Sequence, residues 1–149
     1  MNYYSIFIHV HSGLRWLVLF FVIAAIINAV VRLKTKSSIL NCQDCAFNRL
    51  ALVFMHLQVV LGFLLYFISP KVIFEATSMQ SSMLRFFLVE HIALMLIAVV
   101  LITIGYVKAD RINNEVKKHK RVIIYYSIAL LLILIAIPWP FRGFGSAWF

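Results

Sequence analysis

Four stretches of the chain are apolar for about the length of a membrane-crossing helix, near 12–32, 50–69, 86–107 and 122–139. Crossing a hydrocarbon layer roughly 30 Å thick takes about 20 residues of helix, so each run predicts one transmembrane helix. The connections between them are short and polar. Antiparallel neighbours follow, and the predicted fold class is all-α, an integral membrane up-down four-helix bundle forming a single domain over 1–149. The Pro138-Trp139-Pro140-Phe141-Arg142-Gly143 segment predicts the end of the last helix, because proline cannot donate the ladder bond. No internal repeat and no low-complexity stretch occurs.

A few polar residues break these runs. His11 and Arg15 lie in the first, His56 and Gln58 in the second, and Glu90 and His91 in the third. An ionisable side chain costs several kcal/mol in hydrocarbon, so such residues normally face a bundle interior and mark a cofactor, an ion path or a proton relay.

Composition agrees with a membrane class. Hydrophobic residues make up 64% of the 149 and the mean hydropathy is +0.98, which leaves too few polar residues to coat a soluble core. Arg32, Lys34, Lys36 and Arg49 surround the first connection, and Lys108, Arg111, Lys117, Lys118, Lys120 and Arg121 the third. Lys71, Arg85 and Arg142 are the main cations elsewhere. The excess predicts both basic loops on the cytoplasmic side of a cell's inner membrane, with both termini on the outer, periplasmic side. Net charge +9 is then a matter of orientation, and nucleic acid is not an expected partner. The first run lacks a basic leader before it and a small-residue cleavage site after it, and reads as a retained helix. Trp16, Tyr66, Phe67, Trp139, Phe141, Trp148 and Phe149 fall where interfacial aromatics belong.

At 1.5 Å per residue, His91 lies roughly 8 Å to the outer side of the midplane and His11 nearer the outer boundary. Two imidazoles entering from one side suit the axial positions of a haem. His91, Met95, Ala98, Ile102 and Gly105 recur on one helical face, with small residues leaving room for a ring or a close neighbour. Arg15 shares the face of His11 at i+4, and a planar guanidinium suits a haem propionate; Arg85 and Arg142 are candidates for the second. Expected cofactor-binding residues are thus His11, His91, Arg15, Arg85, Arg142 and Met95, with His11 and His91 as iron ligands.

Other readings stand beside this one. His56, or His9, could pair with His91 instead. Arg15 could neutralise Glu90 in a cofactor-free polar cluster. His56 points away from Gln58, and packing against a neighbour or a quinone contact would also explain it. His9 reads as interfacial, and His119, among lysines, as solvated. Cys42-Gln43-Asp44-Cys45 supplies half of a zinc or iron–sulfur site with no second pair, and Cys45 is followed by Ala46 rather than the histidine of a covalent haem motif. No catalytic triad, phosphate loop or carboxylate pair is visible.

A His near the outer start of one helix, a following Gln-x-x-Leu-Gly over Gln58 to Gly62, and a His near the outer start of the next resemble one haem-binding half of the haem A synthase family. They are similar also to small four-helix proteins described as cytochrome b-like. The resemblance spans roughly 9–106 and implies His11 and His91 as axial ligands of a haem b. With one bundle in place of two, haem A synthase activity itself is not expected. Two function classes follow: an electron-transfer cytochrome or cytochrome subunit of a respiratory complex, without a catalytic domain of its own, and a cofactor-free accessory or assembly subunit of a larger membrane complex. In either class other membrane subunits are expected partners.

Overall fold

Four long helices carry the chain in a computed structural model that describes residues 3–35 and 42–144, the side chains of 42–45 excepted. They are α1 (Tyr3–Thr35), α2 (Cys42–Ile68), α3 (Ser82–Asp110) and α4 (Glu115–Ala136). All four are long and apolar enough to cross a membrane, and no strand occurs among the described residues. Cys42 and Cys45 open α2, but their side chains lie outside the described residues, as do Lys36, Trp148 and Phe149.

The helices outrun the apolar windows that predict them. Polar residues at a helix end are tolerated where a cap satisfies the first amides, and Asn114 does this for α4, its Oδ1 accepting from the Lys117 amide at 3.0 Å. The early start brings His119 inside α4. There it is only 7% exposed, with its Nε2 3.5 Å from Glu115 Oε2, in place of the solvated loop position expected from its lysine neighbours.

α1 packs against α2 and α4, and α3 against α4 and α2. Small residues line these seams, including Ala25, Ala29, Ala51, Ala98, Ala129 and Ala136, and allow close approach of the backbones. Large apolar side chains point the other way. On α1, Val18, Val22, Ala25 and Ala29 are buried, whereas Phe20, Ile27 and Val31 are exposed. Farther along the bundle, Tyr126 is fully buried with its hydroxyl donating to Asn48 O at 3.2 Å, and Phe21 stacks on Phe54 with centroids 5.0 Å apart.

α3 is not uniform. Residues Phe86–Glu90 form a π turn, in which the His91 amide bonds back to Phe86 O, before regular α-helix resumes at His91. Such a turn adds one residue to the ladder and rotates everything before it relative to everything after it. Arg85, on the early side, consequently meets Glu90, Nε to Oε1 at 2.8 Å.

Candidate functional site

At the end where α1 and α3 begin, an apolar cavity of about 330 Å³ opens between the helices. That volume lies within the roughly 300–1,000 Å³ usual for ligand sites. His11, Arg15, Gln58, Gly62, His91 and Met95 line it, and Tyr4, Ser69 and Lys71 stand toward the α2–α3 connection, where the Tyr4 and Ser69 hydroxyl oxygens are 3.4 Å apart. Neither Asp nor Glu is among the described residues that line it.

The two histidines meet here. Their ring centroids are 6.5 Å apart, with planes inclined at 68°. His91 Nδ1 donates to the carbonyl oxygen of Ala136 at 2.7 Å, since a carbonyl can only accept. The hydrogen is therefore on Nδ1, and the lone pair is on Nε2. His11 rests on Gly62: a Cβ at that position would come within 3.3 Å of His11 Cε1. Gln58, only 7% exposed, donates from Nε2 both to His11 O at 3.0 Å and to His11 Nε2 at 3.2 Å.

This arrangement leaves two buried polar atoms without a protein partner, His11 Nδ1 and Gln58 Oε1. An unsatisfied buried donor or acceptor costs about 1–3 kcal/mol, so a wall carrying both is suited to a ligand with polar groups of its own.

The acceptor for His91 comes from the end of α4. In a continuing helix Ala136 O would accept from residue 140 and Leu134 O from residue 138, but both are prolines and have no N–H. Three successive carbonyls are instead met by side chains. Trp139 Nε1 donates to Leu134 O at 2.9 Å, Arg142 Nη1 to Ile135 O at 2.8 Å, and His91 Nδ1 to Ala136 O. The Pro-x-Pro spacing was the signal for this, readable as freed carbonyls as well as a helix stop.

The remaining expected site residues separate into two groups. Arg15 and Met95 line the cavity with the histidines. Arg85 is exposed and paired to Glu90, and Arg142 caps α4 while lying over Phe86 at 4.8 Å and Phe144 at 5.0 Å. Neither lines the cavity. His56 is exposed on α2, its Nδ1 donating to Leu52 O at 2.8 Å, and does not line it either. His9 is exposed and reaches the cavity wall. Lys71, not singled out by its sequence context, is on the wall, and its recognition needed the fold of the α2–α3 connection.

Among the described residues no three His, Cys, Asp or Glu side chains converge as a metal site. A haem asks less of the protein, because the macrocycle supplies the equatorial ligands and two imidazoles complete the iron. Two imidazoles on one metal, each nitrogen about 2 Å from it and about 1.1 Å from its own ring centre, have centroids roughly 6 Å apart. The His11–His91 separation fits that requirement, as does the Nε2 lone pair of His91. Comparison with protein-family models, curated proteins and solved structures found no match to this chain.

Proposed function

We propose that this chain is a multi-pass membrane protein, an up-down bundle with both termini on the outer side, that binds one haem b between His11 and His91 and passes electrons as a cytochrome or cytochrome subunit. The observation that carries this reading is the 6.5 Å separation of the two imidazoles, both on the wall of one apolar cavity. The outward-facing large apolar residues support the membrane setting, since a helix that is hydrophobic all round needs protein or lipid on every side.

His91 is held for ligation by Ala136 O, the kind of outer partner that fixes an imidazole's tautomer and raises its basicity. Ligation through His11 Nε2 requires the Gln58 amide to release it, while the bond from Gln58 to His11 O keeps the amide in place. Arg15 supplies positive charge on the same wall, and Gly62 leaves the His11 ring room. A haem bound here would supply a reversible one-electron couple, with a potential set by axial ligands, neighbouring charge and burial.

The Gln58–His11 bond also favours a second reading, a cofactor-free accessory subunit whose polar cluster fixes helix packing. Visible spectroscopy separates the two. The purified full chain should show a Soret band, sharp alpha and beta bands on dithionite reduction, and about one haem per chain by pyridine haemochrome. A clean preparation without a Soret band, after expression with haem precursor, selects the accessory reading.

A further inference from the structure

Charge on the cavity wall is one-sided. Among the described residues that line it, Arg15 and Lys71 are the Arg and Lys side chains, and none is an Asp or Glu. Lys71 is built into this wall and not simply near it. Its amide bonds to Ser69 Oγ at 3.2 Å, its Nζ donates to Phe144 O at 3.2 Å and lies 5.1 Å from the centre of the Phe87 ring. Phe87 in turn stands 6.5 Å from the His91 ring, so one aromatic side chain separates the ammonium from the histidine pair. Burial holds the Lys71 ammonium below its ordinary pKa.

We infer that Lys71 and Arg15 are the anchors for the two carboxylates of the ligand in this cavity, so that Lys71 takes the part that Arg85 and Arg142 have on sequence position alone. The inference rests on the haem reading above. Arg85, paired to Glu90, and Arg142, over Phe86 and Phe144, do not line the cavity, whereas Arg15 and Lys71 do. A cavity whose described lining carries two cations and neither Asp nor Glu matches a planar ligand bearing two carboxylates, in sign and in number.

Haem b and its dimethyl ester, which lacks both carboxylate charges, test this on the purified full chain in nanodiscs, with dissociation constants read from the Soret band. Lys71→Gln keeps a hydrogen-bond donor for Phe144 O and removes the charge. It should weaken haem b binding roughly tenfold, as for loss of one charged hydrogen bond, and leave the ester unchanged. Lys71→Arg should retain wild-type affinity for haem b, and Arg85→Gln should alter neither ligand. Equal weakening of both porphyrins by Lys71→Gln, or no weakening of haem b, overturns the anchoring role. A wild-type chain that binds neither porphyrin overturns the haem reading itself, and this inference with it.

Discussion

His91 donates its Nδ1 hydrogen to Ala136 O at 2.7 Å, tying the start of regular helix in α3 to the last turn of α4. The bond exists because Pro140 removes the amide that would otherwise compete for that oxygen. Its consequence is chemical as well as structural, since it directs the lone pair of His91 to Nε2.

His11 and His91 should behave alike and unlike His56 and His119. His91→Ala and His11→Ala should each abolish the low-spin spectrum or convert it to high spin, because each opens a coordination position. His56→Ala and His119→Ala should keep it, the first residue being exposed with a local bond and the second lying in the α4 segment next to Glu115. Absorption and electron paramagnetic resonance spectra check this. Loss of the signal in His56→Ala with retention in His11→Ala would assign the pairing to α2 and α3.

Returning amides to the end of α4 should weaken the site from a distance. In the double variant Pro138→Ala with Pro140→Ala the helix can continue, and Ala136 O gains an internal partner in place of His91. Loss of such an outer contact typically reduces metal-centre affinity about 10–100-fold. Haem titration of the variant should fall in that range while circular dichroism keeps its helical signal; unchanged affinity would mean that Ala136 O does not govern His91.

Three glycines should separate packing from site geometry. Ala is favoured over Gly in a helix by about 1 kcal/mol, so Gly13→Ala, with open space around it, should leave the protein unchanged or more stable. At Gly105 a Cβ would come within 2.7 Å of Tyr125 Cβ, an atom fixed to its backbone, and α3 and α4 must move apart. Overpacking of this kind costs about 1–3 kcal/mol, which outweighs the propensity gain. Gly105→Ala should therefore lower the thermal midpoint. Gly62→Ala should instead keep the midpoint and reduce the low-spin fraction, because its Cβ meets only the His11 ring. Thermal unfolding and spectra on the same samples distinguish the three.

Orientation is tested by reporter fusions. Alkaline phosphatase joined at Phe149 should be active and joined near Lys117 inactive, following the excess of Lys and Arg around the first and third connections. The reverse pattern would move the cavity to the cytoplasmic side.

The four helices and the candidacy of His11 and His91 are legible in the sequence for one physical reason: each depends on which residue types follow one another along the chain, whereas the approach of the two rings to 6.5 Å is a product of the packing. Apolar runs of sufficient length mark the helices, and the high cost of a charge in hydrocarbon singles out the polar residues within them. The helix ends are less legible, because caps such as Asn114 extend a helix past its apolar window and thereby bury His119. What surrounds the histidines was decided by tertiary structure. Periodicity assigns a side chain to a face only while the ladder is regular, and the π turn at Phe86–Glu90 breaks that phase, sending Arg85 to Glu90. Gln58 reaches His11, His91 reaches Ala136 O, and Lys71 reaches the wall through contacts between elements 47, 45 and 73 residues apart in sequence. Such contacts depend on how helices and connections pack in three dimensions, which local residue order does not specify.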